Sequence, residues 1–177
     1  MIFSETQLKG VYLIDPENVR DERGFFARTF CQEEFKAHGL NPHIAQCSTS
    51  FNRKKGTLRG MHYQAAPCEE AKLVRCISGA IYDVALDLRP ESPTFKRWVA
   101  VELSAENRKM LYIPEGCAHG FQTLVDNTEV FYQISEFYRP ETARGVRWDD
   151  PAFGIKWPPV QTRIIPERDA GYENYLC

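Results

Sequence analysis

The sequence predicts an antiparallel all-β sandwich or barrel with a few short helices, built as a single domain over residues 1–177. Three observations carry this. Short segments rich in Val, Ile, Tyr, Phe and Thr recur along the chain, and turn signals cut them at intervals of very roughly ten residues. No repeat, linker or biased stretch divides the sequence, and 177 residues suffice for one buried core. Only one segment reads clearly as a helix, which argues against alternating β/α units and a parallel sheet.

In chain order, the stretch MIFSETQLKG lacks the basic and apolar regions of a signal peptide. The purest apolar runs, Val11–Ile14 and Trp98–Val101, fall far short of the roughly 20 residues that span a bilayer. Turns are expected at Asp21–Gly24, Asn52–Gly56, Ser78–Gly79, Arg89–Pro93, Pro114–Gly116 and Arg139–Pro140. The helix is expected over Gln32–His38, where an acid-rich start precedes Phe35 and Gly39 supplies the stop. From Asp149 onward, Pro151, Pro158, Pro159 and Pro166 predict an extended, loop-like tail.

Composition excludes several function classes. A hydrophobic fraction of 43% against 26% charged residues is too apolar for a disordered chain. A net charge of −2 leaves no cation excess for nucleic acid or an anionic membrane surface, so neither is expected as a partner and the cytoplasm is the expected location. A small acidic ligand is compatible, because it needs only a few well-placed Arg or Lys residues. The cysteines, Cys31, Cys47, Cys68, Cys76, Cys117 and Cys177, form no CxxC pair and no zinc spacing, and are expected to be reduced and mostly buried.

Strand parity brings chemistry into view, since residues two apart share a face. From Lys72 to Leu88 the even positions include Val74, Cys76, Tyr82, Val84 and Leu86, so Lys72 is expected to face inward with them. An unpaired inward ammonium is costly, and a functional cavity explains it; a solvated strand end is the plainer alternative. Over Thr57–Gln64, Leu58, Gly60, His62 and Gln64 share one face and Arg59 points to the other. Over Glu129–Tyr138, Val130, Tyr132, Ile134 and Tyr138 align, with Gln133 and Ser135 opposite. Taken singly, His62 and His119 fit structural hydrogen bonds and Tyr132 fits a core tyrosine. Their convergence would carry the chemical reading.

Three chemistries compete for such a set. A metal site in a small β-barrel wants an HxH pair with a carboxylate and a further His, but Tyr63 and Gln64 follow His62, leaving His119 with Glu69 or Glu70 to improvise. A Cys117 nucleophile two residues from His119 is conceivable. General acid–base catalysis fits best. Proton abstraction next to a carbonyl needs a base, a cation for the enolate oxygen and an acid on the opposite face, and His62, Lys72 and Tyr132 supply those types. A carboxylate on the other imidazole nitrogen would set the tautomer, and many Asp residues are available for it.

The stretches Gly56-Thr-Leu-Arg-Gly-Met-His-Tyr-Gln64, Lys72-Leu-Val-Arg75, Gly79-Ala-Ile-Tyr-Asp-Val84, Asp87-Leu-Arg89, Tyr112-Ile-Pro114, Ala118-His-Gly-Phe-Gln122 and Arg144-Gly-Val-Arg-Trp148 together resemble the dTDP-4-dehydrorhamnose 3,5-epimerase family, over about Gly10 to Asp169. The resemblance implies a cupin-type jelly roll, a homodimer in which strands pass between subunits, and neither metal nor redox cofactor. It implies His62 as the base paired with Asp169, Lys72 as enolate stabiliser and Tyr132 as the opposing acid. Gln46, His119, Arg59, Arg23 and Phe26 match positions in or around the pocket, Arg59 and Arg23 toward a diphosphate and Phe26 toward the nucleotide; Tyr138 joins them. Arg59 in the pocket conflicts with simple parity.

The chain departs from the family pattern at Arg28, where many members have Glu, at Ser48 in Gln46-Cys-Ser48, and at Gln133. These touch substrate contacts rather than the proposed catalytic groups. The expected function is inversion of C3 and C5 of dTDP-4-dehydro-6-deoxy-D-glucose, giving dTDP-4-dehydro-L-rhamnose for deoxysugar or polysaccharide synthesis. The alternatives are a C3-only or C5-only epimerase on another nucleotide-linked 4-keto sugar, a non-catalytic sugar-binding cupin, and a metal-dependent cupin.

Overall fold

The alternation of apolar and polar residues is satisfied by two antiparallel sheets packed face to face. The computed structural model describes residues 1–175. Its first elements are β1 (Ile2–Glu5), β2 (Tyr12–Asp15), β3 (Val19–Asp21), β4 (Gly24–Phe26), α1 (Gln32–Ala37), β5 (Gln46–Asn52), β6 (Leu58–Gln64) and β7 (Lys72–Ser78). There follow β8 (Ala80–Asp87), β9 (Trp98–Ser104), β10 (Met110–Ile113), β11 (Cys117–Thr123), β12 (Thr128–Ile134), β13 (Ala143–Gly145) and α2 (Glu167–Ala170). One sheet runs β1-β2-β10-β7-β12-β5 and the other β13-β6-β11-β8-β9, while β3 and β4 form a separate hairpin. From β5 onward the chain passes repeatedly between the sheets, as a jelly roll requires.

Three apolar layers hold this arrangement. Val74, Cys76, Val130 and Leu111 of the first sheet meet Ile81, Ala85, Leu103 and Phe121 of the second, forming the inner core. On the outside of the first sheet, Phe35 of α1 packs with Leu73, Met110 and Tyr112. On the outside of the second, Met61, Val84 and Leu86 are covered by Val146, Phe153 and Ile155 of the C-terminal segment. That cover makes both faces of β8 apolar. The expected inward face therefore does not continue past β7: Tyr82, Val84 and Leu86 face the outer layer, and the odd residues Ile81 and Ala85 enter the core. Gly79 is the whole connection, and it carries the chain into the opposite sheet instead of closing a hairpin. Glycine is favoured there on two counts: its φ is +76°, and a Cβ at this position would collide with the Thr128 side chain.

Three further expectations need correction. The helix ends at Ala37 with His38 as its cap, a displacement within the usual uncertainty of helix ends. The tail is not loop throughout, because Glu167–Ala170 forms one helical turn after Pro166. Burial of thiols is also less general than expected. Cys76 and Cys117 are buried, Cys31 and Cys68 half-buried, and Cys47, on the edge strand β5, is exposed; all five are free. Cys177 lies outside the described residues. No helix among the described residues is long and apolar enough to cross a membrane.

Candidate active site

Where β5, β7 and β12 face β6 and β11, the inner core gives way to a cleft of about 520 Å³. His62, His119 and Tyr132 sit on strands whose residues two away are buried, so sheet packing fixes their direction. Gln46, Arg59, His62, Lys72, His119, Tyr132 and Tyr138 all line it. Arg23 and Phe26 do not: they sit on the β3–β4 hairpin with the Arg23 side chain 85% exposed and Phe26 76% exposed. Among the described residues the hairpin pairs only with itself, and the Arg23 guanidinium is held by its neighbour Asp21.

The Arg59 conflict is resolved by a bulge. Across β6 and β11, His62 pairs with His119 and Arg59 with Phe121, so Gly60 and Met61 oppose Gly120 alone. One extra residue on β6 restores Arg59 and His62 to the same side. Glycine suits the site because Gly60 has φ +134° and a Cβ there would lie 2.5 Å from Gly120 Cα. Arg59 Nε donates to Asn52 Oδ1 at 2.8 Å, which anchors the guanidinium at the rim.

His62 and Asp169 meet at 2.8 Å, Nε2 to Oδ1. Asp169 is only 3% exposed because α2 folds the tail back over β6, and its Oδ2 accepts the Gly60 N–H at 3.2 Å. Burial alone would raise this carboxyl. The His62 hydrogen bond and charge, the Gly60 N–H and the nearby Arg168 outweigh it and hold the carboxyl below its ordinary range. An ionised Asp169 accepts Nε2–H and leaves the lone pair of His62 on Nδ1.

Lys72 is 9% exposed, as the parity of β7 predicts. Its Nζ pairs with Glu70 Oε1 at 2.9 Å and lies 3.4 Å from the His62 carbonyl oxygen. His119 is likewise buried and pairs through Nε2 with Asp83 Oδ1 at 2.7 Å, with its ring edge-on to Tyr132 at 6.2 Å. Tyr132 shares a 3.1 Å hydrogen bond with Ser50 Oγ. Burial pushes its phenol well above the ordinary value, with Ser50 only partly opposing this, so it stays a neutral proton holder.

Ser50 and Asp83 escaped sequence reasoning, and Glu70 entered it only as one of two carboxylates that could improvise a metal site with His119. Ser50 shares strand parity with Gln46 and Ser48 and was recoverable on that ground, whereas Glu70 and Asp83 depend on which sheet each strand joins. Of the three departures, Ser48 lines the cleft, Arg28 is held by Glu34 at 2.9 Å, and Gln133 faces the outer layer near Phe35. The Cys117 nucleophile loses its basis, because burial pushes that thiol up to about 12. Among the described residues no three His, Cys, Asp or Glu side chains are grouped to hold a metal.

Chemically, the cleft holds a base on one sheet, a proton-bearing phenol on the facing sheet and an ammonium near the base. Such a set can remove a proton beside a carbonyl, carry the enolate charge and return a proton to the other face.

The family model for dTDP-4-dehydrorhamnose 3,5-epimerase matches residues 5–175. A dTDP-4-dehydrorhamnose 3,5-epimerase of Sinorhizobium fredii is 41% identical over 177 residues, 100% of this chain and 90% of that protein. The crystal structure of dTDP-4-dehydrorhamnose 3,5-epimerase from Elizabethkingia anophelis superposes with a TM-score of 0.96 at 37% identity, covering 99% of this chain and 96% of that one. A Legionella pneumophila dTDP-6-deoxy-D-glucose-3,5-epimerase, solved with dTDP-4-keto-L-rhamnose, gives a TM-score of 0.92 at 35% identity, with 98% and 92% coverage.

Proposed function

The chain belongs to the dTDP-4-dehydrorhamnose 3,5-epimerase family, and from that membership we propose that it inverts C3 and C5 of dTDP-4-dehydro-6-deoxy-D-glucose. The observation that carries this is the opposition of His62 on β6 to Tyr132 on β12 across one cleft, on facing sheets. Inversion needs a base and an acid on opposite faces of the sugar, and a binding module needs neither.

In the proposed mechanism His62 Nδ1 takes the proton from the carbon next to the C4 carbonyl. The C–H electrons move into the enolate, whose oxygen is stabilised by Lys72. Asp169 stabilises the imidazolium formed on His62. Tyr132 then delivers its proton to the opposite face of the same carbon. C3 and C5 both flank C4, so one set of groups serves both after the sugar shifts in the cleft. Arg59 at the rim suits the diphosphate, and Gln46, His119 and Tyr138 suit sugar and nucleotide oxygens.

Arg23 and Phe26 are too exposed to serve their own cleft, and we assign them to the cleft of a second copy in a homodimer, the hairpin passing between subunits. The reaction needs neither metal nor redox cofactor in this scheme, and the cytoplasm is the location we propose for it, since a doubly charged nucleotide sugar does not cross a membrane unaided. The test is incubation with dTDP-4-keto-6-deoxyglucose in deuterated water. Deuterium at both C3 and C5 supports the proposal, label at one carbon makes the chain a single-site epimerase, and no exchange removes it.

A further inference from the structure

Glu70 is a largely buried carboxylate inside the cleft, its side chain 10% exposed, and the acid–base scheme gives it no task. It precedes β7, and the chain is clamped just beyond it: the Ala71 N–H donates to Ser135 Oγ at 2.8 Å and the Ser135 N–H donates to the Ala71 carbonyl at 3.0 Å. Residues 70 and 72 therefore project together from a fixed point, and both line the cleft. Their side chains are each 10% exposed and meet at 2.9 Å. Glu69, one residue earlier, is exposed.

We infer that Glu70 is a positioning residue for Lys72, aiming its ammonium at the oxygen that becomes negative during proton abstraction. This rests on the reading of the site as an epimerase. A lysine side chain has four rotatable bonds and a compact head with three donors. Glu70 takes one donor, and the His62 carbonyl oxygen lies at 3.4 Å from the same nitrogen. A further donor is left for the sugar. Without the carboxylate the ammonium is free to turn toward other acceptors, among them the diphosphate, and it leaves the enolate position. A fixed cation stabilises a transition state better than a mobile one because no reorganisation is needed at the moment of reaction. The acceptor geometry matters most here, and a neutral acceptor of the same length reproduces it.

Four variants separate this role from a structural one, read by deuterium exchange into dTDP-4-keto-6-deoxyglucose. Wild-type exchange is measured first, and its absence defeats the epimerase reading itself. Glu70→Ala is expected to lower kcat at least tenfold with KM within twofold, and Glu70→Gln to recover kcat to within about threefold of wild type. Adding Glu70→Ala to Lys72→Ala is expected to cost nothing further, and that double variant leaves no unpaired buried charge to threaten folding. Wild-type kcat in Glu70→Ala, an equal loss in Glu70→Gln, a loss confined to KM, or a full second loss in the double variant would each overturn the inference.

Discussion

Asp169→Asn isolates the electrostatic half of the His62 pair with almost no change in shape. The carboxylate uses both oxygens, one on His62 Nε2 at 2.8 Å and one on the Gly60 N–H at 3.2 Å, in a site 3% exposed. An asparagine can keep its oxygen on Gly60, but its amide then presents N–H to His62 Nε2. The imidazole must turn its lone pair toward the amide and loses the basic nitrogen on the cleft side. The imidazolium formed in the reaction also loses a charge-assisted hydrogen bond, worth about 2 kcal/mol, and each 1.36 kcal/mol is tenfold in rate. The expected fall in kcat from that bond alone is roughly 30-fold, and the wrong tautomer adds to it. Folding stability should drop by about 1 kcal/mol, a melting shift of roughly 2–4 °C, so loss of activity will not reflect unfolding. Deuterium exchange by proton NMR and a thermal melt on the same sample give both numbers. A kcat within threefold of wild type at unchanged stability would refute the role assigned to the pair.

Tyr132→Phe should leave deuterium exchange measurable while inversion falls at least about 100-fold, because an acid is needed only for return to the opposite face; product stereochemistry by NMR checks it, and unimpaired inversion defeats the assignment. Asp87 is buried with Arg89, Ser92 and Thr94, and although desolvation is the largest influence and opposes them, their hydrogen bonds hold its carboxyl down to about 2. Its value is depressed on folding, so its contribution of about 2 kcal/mol is full above pH ~4 and is lost as pH falls through ~2. Urea unfolding should accordingly show Asp87→Asn destabilised at pH 7 by a gap that shrinks to about half by pH 3, and a pH-independent gap would contradict this. Iodoacetamide should label exposed Cys47 in the native protein and spare buried Cys76 and Cys117, as peptide mass analysis will show, and Cys117→Ala should keep its exchange activity.

The parity of β7 and β12 made Lys72, Tyr132 and Ile134 legible as one inward set, because burial on one face imposes a period of two; Tyr138 does not belong to it, since β12 ends at Ile134 and Tyr138 reaches the cleft from the exposed segment beyond. Parity failed at β6 for a physical reason: the bulge at Gly60 and Met61 inserts one residue, and no local signal separates a bulge glycine from a turn glycine. It failed again at β8, where a cover over the outer face removes the alternation that would have marked the inner one. Asp169 was reached by resemblance alone, since the tail reads as loop and its pairing with His62 spans 107 residues.

Composition and turn spacing by themselves determined that this chain folds into antiparallel sheets, and the order of its motifs determined its family, because both are written in local residue choice. Which groups share a cleft was decided only by tertiary structure. The sheet that each strand joins and the bulge that redirects Arg59 set those neighbours, and so does the helical turn that returns Asp169 to His62. All three arise from contacts between residues far apart in the chain, where local preference has no reach.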